Sequence, residues 1–167
     1  MVTHHEIVSI SKSCILLPVY DKPMIYYPIS ILLQAKIKEI LIISTSKHID
    51  RYKSLLGNGM RFGVSIEYEV QKEPNGIAEA LIIGENFIQN DSVCLILGDN
   101  VFYHPDMHAF FQEAQRKCDG SVVFAYSVEN PSNFGIIELD EVDNLVSIEE
   151  KPAKPKSHLA IPGVVFF

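Results

Sequence analysis

Val93-Cys-Leu-Ile-Leu-Gly-Asp-Asn-Val-Phe-Tyr103 is the stretch on which the reading of this 167-residue chain turns. Five apolar residues run unbroken from Val93 to Leu97. The run is too short for a helix and lacks the polar alternation of a half-exposed strand, so it predicts a strand covered on both faces. It stops at Gly98-Asp99-Asn100. In an open α/β sheet, ligands bind beyond the carboxyl ends of the central strands. A glycine there lets backbone approach a ligand, and an aspartate can hold a hard cation. The same three residues also make an ordinary strand-to-loop turn, and this stretch alone leaves both readings standing.

Outward from it, periodicity lays out alternating strands and helices. Ile7, Val8 and Ile10 suggest a short strand, and Ile15 to Tyr20, broken by Pro18, reads as a loop or edge segment. Asp21 as a cap, Pro23 in the first turn and Met24, Tyr27, Ile31, Leu32 and Ala35 at helical spacing predict a helix over 23–36. Glu39 to Ser44 is a second buried strand, Ile49 to Leu56 a short helix stopped by Gly57, and Val64 to Val70 a half-buried strand. After the polar loop from Gln71 to Asn75, Ile77 to Ile88 has helical spacing and begins at Gly76. Beyond the central strand follow a helix over 107–117, a strand over 121–128, and a hairpin of Ile136–Leu139 with Leu145–Ile148 across Asp140–Asn144. The succession predicts an α/β fold with a largely parallel sheet. The chain closes on Gly163-Val-Val-Phe-Phe167, an apolar strand-like run for which nothing downstream predicts cover.

At 47% hydrophobic and 21% charged residues the chain sits in the globular range, with length for one domain and one core. A formal net charge of −7 argues against a broad nucleic-acid or membrane surface. The three cysteines, Cys14, Cys94 and Cys118, are odd in number and form no C-x-x-C, which predicts a reducing, cytoplasmic setting without a metal cluster.

Neither G-x-x-x-x-G-K-[ST], G-x-G-x-x-G nor G-x-S-x-G occurs. The chemistry must then sit in loops after strands. Three qualify: Gly98-Asp99-Asn100, Gln71-Lys-Glu-Pro-Asn-Gly76 feeding a helix N-terminus, and Ser147-Ile-Glu-Glu-Lys-Pro152. The second reads equally as a capping loop and the third as a solvated strand end.

A set of longer motifs lies across these loops. Leu16-Leu-Pro-Val-Tyr-Asp-Lys-Pro-Met-Ile-Tyr-Tyr-Pro28 resembles the signature of glucose-1-phosphate thymidylyltransferases. So do Ile42-Ile-Ser-Thr45, Val70-Gln71 with Pro74-Asn-Gly76, Leu97-Gly-Asp-Asn100, Phe134-Gly135, and Glu149-Glu-Lys-Pro152 with Pro155-Lys-Ser157. The resemblance runs in one order from about residue 9 to the end. It implies a Rossmann-like, three-layer nucleotidyltransferase fold with a mostly parallel sheet. It implies an enzyme that joins dTTP to glucose 1-phosphate with Mg²⁺, giving dTDP-glucose for rhamnose and cell-surface polysaccharide precursors and releasing pyrophosphate. Carried over by position, Asp99 would hold the metal and Lys151 would meet the phosphate of the sugar phosphate. Gln71 and Gly76 would read thymine. Gly98, Asn100, Gly135, Glu150 and Ile161 would line the substrate site, and Lys12 would be a further substrate-binding residue. A homo-oligomer is a further expectation, with no nucleic-acid or membrane partner.

The resemblance also implies what is missing. The family opens with a strand and a glycine-rich loop carrying an arginine, whereas here no glycine precedes Gly57 and no arginine precedes Arg51. Lys12 is followed by Ser13-Cys14-Ile15 where the family has a glutamine directly before Leu-Leu-Pro. The expectation is a partial domain over 1–167. Its first eight residues would be an unrelated or disordered start, its first strand and loop would be lost, and its last strands and second metal carboxylate would lie beyond residue 167. A second reading follows: an inactive remnant that binds nucleotide or sugar nucleotide, or associates with a complete relative. A third is a related enzyme using another nucleotide or sugar.

Overall fold

Three parallel pairings build the centre of the protein. The computed structural model describes residues 5–10, 16–73, 76–116 and 120–167, and only the backbone of His5, Glu6, Ile10 and Ile77. Strand β1 (His5–Ile10) lies between β4 (Glu39–Ser44) and β6 (Val93–Leu97), parallel to both. β5 (Ser65–Val70) continues the sheet beyond β4, again parallel. The full order is β5-β4-β1-β6-β12-β7, with β12 over Val164–Phe166 and β7 over Val122–Val123. Reciprocal backbone hydrogen bonds between Val93 and Phe167, 3.1 and 2.9 Å, mark β12 as running against β6.

Two expectations are corrected here. The first strand is not lost: His5–Ile10 forms it at the centre of the sheet, with Ile7 and Val8 fully buried. Its segment reads weakly because Ser9 breaks the apolar run; the burial comes from the strands on either side. Nor is the closing run uncovered. Phe166 is buried and meets Phe111 edge-on at 5.5 Å, Phe111 lying on helix α5 (Met107–Arg116).

Alternation along the strands sends Ile7, Leu41, Ile43, Val93 and Leu95 to one face. There they form a cluster with Ala80, flanked by Leu81, Ile83, Phe87 and Ile88 of α3 (Ile77–Ile83) and α4 (Glu85–Ile88). Val8, Ile40, Ile42 and Ile96 point the other way and are equally inaccessible to solvent. Both faces are therefore covered, which is the three-layer arrangement.

Local chemistry decides where elements break. The predicted helix over 23–36 begins later, as α1 (Tyr26–Gln34). The residues before it fold into a small hairpin, β2 (Pro18–Val19) on β3 (Lys22–Pro23), held by the Tyr27 hydroxyl donating to the Val19 carbonyl at 2.7 Å. α2 (Ile49–Leu56) matches its expectation. The predicted helix over 77–88 divides at Gly84, where a Cβ would lie 2.5 Å from Ile7 Cδ1. The predicted strand over 121–128 divides into β7, in the six-stranded sheet, and β8 (Tyr126–Ser127), in a four-stranded one.

The chain forms two compact units, one of residues 1–122 with 165–167 and one of 123–164. The second is an antiparallel sheet in the order β10-β9-β11-β8, where β9 is Gly135–Leu139, β10 is Leu145–Glu150 and β11 is Leu159–Ala160. Its hairpin turn is tied by Asp140, whose carboxylate accepts from the backbone N–H groups of Val142 and Asn144 at 3.0 and 2.8 Å. A bond from the Asn144 side-chain amide foremost, together with those two, holds Asp140 below the usual carboxylate range.

The close approach of Gly84 to Ile7 gives a stability test. Gly84→Ala overpacks the core and should destabilise the protein by about 1–3 kcal/mol in urea denaturation. Ile7→Val removes the Cδ1 that the new methyl meets, so the double variant should be more stable than the sum of the two single effects. Strict additivity would mean the two sites do not touch.

Candidate functional site

Because β5, β4, β1 and β6 are parallel and adjacent, their carboxyl ends share one edge of the sheet. Gly98-Asp99-Asn100 follows β6 at that edge and Gln71 follows β5. The two are three strand spacings apart, on the order of 14 Å, a span that an extended ligand bridges and a single ion does not.

The β6 end is anchored by backbone. The Gly98 N–H donates to the Ser9 carbonyl at 3.1 Å, carrying the β1–β6 ladder one residue past Leu97. That amide is committed to the sheet, so Gly98 serves as an anchor for the turn. Asn100 N–H donates to the Leu97 carbonyl at 3.4 Å, closing the turn around Asp99, which is half-buried.

Gln71 is buried, 3% exposed. Its backbone N–H donates to the Ser44 carbonyl at 2.9 Å, so β4 fixes where the side chain starts. Its amide Nε2 donates to the Gly76 carbonyl at 3.3 Å and to the Glu79 carboxylate. These bonds close the loop at its base and bring Gln71 and Gly76 together as expected. Gly76 has φ +99°, a conformation that L side chains rarely adopt, and its Cβ position faces open space. Glu79 went unremarked in the sequence. The only signal was a carboxylate in the first turn of a helix, which reads as a response to the helix dipole.

In the second unit, Gly135, Glu150, Lys151 and Ile161 come together around one point. Gly135 and Glu150 are partners across β9 and β10, and a Cβ at Gly135 would meet Glu150 Oε2 at 3.0 Å. The Ile161 N–H donates to the Gly135 carbonyl at 2.9 Å, and the Lys151 N–H donates to the neighbouring Phe134 carbonyl at 2.9 Å. Lys151 has φ +46°, left-handed for a non-glycine residue, and its ammonium lies 3.5 Å from the Glu150 carboxylate. Both side chains are largely exposed. Lys12 lies outside the described residues.

A cleft of about 280 Å³ lined by Glu39, Glu67, Glu69 and Phe87 contains none of these residues. Its acidic lining would repel phosphates. For a metal, no three His, Cys, Asp or Glu side chains gather among the described residues. The turn after β6 contributes the carboxylate of Asp99 as an oxygen donor. That fits a cation which keeps its waters, takes one or two carboxylates and completes its shell with substrate phosphates, as Mg²⁺ does.

The nucleotidyl transferase family matches residues 8–167. The chain belongs to that family. It is 52% identical over 152 residues to a glucose-1-phosphate thymidylyltransferase of Neisseria meningitidis serogroup A, covering 91% of this chain and 53% of the relative. It is 46% identical over 164 residues to one of Mycolicibacterium smegmatis, covering 98% and 56%. In three dimensions it resembles a Bacillus anthracis crystal structure, described as a glucose-1-phosphate thymidylyltransferase in complex with a sucrose, with TM-score 0.92 and 35% identity over 98% of this chain and 71% of that one. The chain thus spans about half the length of the curated relatives it matches.

Farther along β9, Glu138 braces the hairpin against the loop that follows it, accepting from Ser147 Oγ at 2.7 Å and Lys156 Nζ at 3.0 Å. These bonds, the one from Ser147 foremost, hold Glu138 below its ordinary 4.5. Its stabilising contribution is therefore present above the unfolded carboxylate's pKa and is lost as pH falls through the lower folded value. A carbon-detected NMR titration should find the Glu138 midpoint below those of the solvated glutamates, and Ser147→Ala should raise it. A midpoint unmoved by that substitution would disprove the brace.

Proposed function

We propose that this chain carries the nucleotide- and sugar-phosphate-handling residues of a glucose-1-phosphate thymidylyltransferase, forming dTDP-glucose and pyrophosphate from dTTP and glucose 1-phosphate. The observation that carries the reading is the 52% identity over nine-tenths of the chain to an enzyme of that name, with Asp99 at the carboxyl end of a central strand.

In this reading the sugar phosphate oxygen attacks the α-phosphorus in line, and catalysis consists of positioning and charge neutralisation. Asp99 would hold Mg²⁺, which when bound neutralises charge on the phosphates. Lys151 neutralises the phosphate of glucose 1-phosphate. Its left-handed backbone and its bond to the Phe134 carbonyl fix the direction in which the long side chain leaves the strand. Gln71 and the Gly76 backbone meet the thymine edge. Gly135 leaves room for the Glu150 carboxylate, which with Ile161 would take the sugar; Asn100 is assigned to substrate on sequence position alone. Lys12 is assigned to substrate binding on sequence position alone. No helix among the described residues is long and apolar enough to cross a membrane. Cys94 is a buried thiol, which accords with a reducing, cytoplasmic setting.

A specific observation favours a second reading, a binder without turnover: the segment before Leu16, where the family carries a glycine-rich loop with an arginine, has neither residue type. Pyrophosphate release with dTTP, glucose 1-phosphate and Mg²⁺ separates the two. Turnover above a no-protein blank, lost in EDTA and lowered about 10²–10³-fold by Asp99→Asn, is the result expected of an enzyme. Calorimetric binding of dTTP or dTDP-glucose with no turnover would establish the binder, and neither binding nor turnover would sink both.

A further inference from the structure

Glu79 has no role in the reaction as set out above, yet its carboxylate holds the one amide assigned to the base. We propose that Glu79 is a positioning residue: it fixes which end of the Gln71 amide faces the nucleotide, and so selects a base that carries a proton on ring atom N3. The inference rests on the reading of Gln71 as the base contact.

The geometry leaves the amide one orientation. Gln71 is buried, and its backbone is tethered to Ser44, so the side chain starts from a fixed place and lies inside the fold. Near its end lie the Gly76 carbonyl, at 3.3 Å from Nε2, and the Glu79 carboxylate, hydrogen-bonded to the same nitrogen. Both are acceptors without a proton to give. Turning the amide over would set Oε1 against two oxygens, one of them charged. The NH₂ group is therefore held toward the helix and Oε1 is turned from it, presenting an acceptor. The hydrogen bond to an ionised carboxylate is the stronger of the two, so Glu79 dominates this choice.

An acceptor fixed at that place discriminates among bases. Thymine and uracil carry N3–H and can donate to it. Cytosine has a bare N3 and would oppose lone pair to lone pair, with a buried polar atom left unpaired. Selection against an isosteric ring that lacks the donor is the kind of difference a buried hydrogen-bonding site enforces strongly. Without Glu79 the amide is free to reverse and offer its NH₂ group to cytosine instead.

The test is a ratio, because general damage to the fold weakens both ligands alike. Calorimetry on the full 167-residue chain with Mg²⁺ should show dTTP bound in preference to dCTP, and Gln71→Ala should remove that preference. Glu79→Ala should cut it about tenfold or more, with dCTP affinity unchanged or raised. Glu79→Gln, which keeps an acceptor oxygen at the same place, should retain most of it. Should Glu79→Ala lose the circular-dichroism spectrum of the parent, Glu79→Leu, similar in size and a good helix former, carries the same measurement. An unchanged dTTP-to-dCTP ratio without Glu79, while Gln71→Ala still removes it, overturns the inference and leaves the reading of Gln71 intact. A parent chain that binds neither nucleotide, or both equally, overturns the reading of Gln71 and the inference with it.

Discussion

The parallel register of β1 between β4 and β6 is the constraint on which the first unit depends. His5 stands opposite both Glu39 and Val93, and Ser9 opposite both Ile43 and Leu97, so three strands end level with one another. β5 ends level with β4 in turn, Val70 opposite Ser44. The turn at Asp99 and the start of the Gln71 loop are thus set by backbone pairing before any side chain takes part. Their anchors are the same kind of bond in two places: Gly98 donates to Ser9, and Gln71 donates to Ser44, each to the neighbouring strand's last turnward carbonyl. A one-residue slip of β1 would reverse which side chains face α3 and carry Ile7 away from its cluster.

The second unit solves a similar problem with antiparallel strands. There the crossing of β9 and β10 at Gly135 and Glu150 does the aligning. A side chain at 135 would meet the Glu150 carboxylate, so the small residue gives room to a cross-strand neighbour rather than answering a backbone conformation. At Lys151 the reverse holds. The side chain is long and exposed, while the backbone is held left-handed at a cost of order 1 kcal/mol or more, stabilised by the bond to Phe134. Strain of that kind persists where surrounding contacts over-determine it, and here it fixes the exit direction of a lysine.

How much of this could be read from the sequence follows from what each signal measures. β4, β6 and α2 were legible to the residue, because uninterrupted apolar runs and a helical period stopped by Gly57 are local properties. β1 was legible only as a faint strand, because its place at the centre is conferred by its neighbours and not by its own composition. The division at Gly84 was missed because the helical spacing runs unbroken through it, and the close approach of Ile7 to that glycine joins residues far apart in sequence. The late start of α1 reflects pairing between Pro18–Val19 and Lys22–Pro23, while Asp21 and Pro23, locally good helix-start residues, serve a hairpin instead. The positions assigned to the ligands lay in plain view, since turn residues after strands are recognisable. Their supporting bonds, Gln71 to Glu79 and Lys151 to Phe134, join residues that no periodicity connects.

Charge sets the last condition. A chain of net charge −7 repels polyanions at long range, and in physiological salt that field is screened beyond about 8 Å. Binding of phosphates to such a protein must therefore rest on what lies within a few ångströms of them. The described structure separates the charges accordingly. Glu39, Glu67 and Glu69 line a cleft along β4 and β5, apart from the turn that carries Asp99. Three carboxylates near the assigned residues are themselves occupied: Glu79 holds Gln71, Glu150 lies beside the Lys151 ammonium, and Glu138 is bound by Ser147 and Lys156. An acid already donated to is a weaker repellent than a solvated one of the same formal charge, since its lone pairs are directed at protein donors. Net acidity and phosphate chemistry are then compatible in one chain, provided that each local carboxylate has work inside the fold.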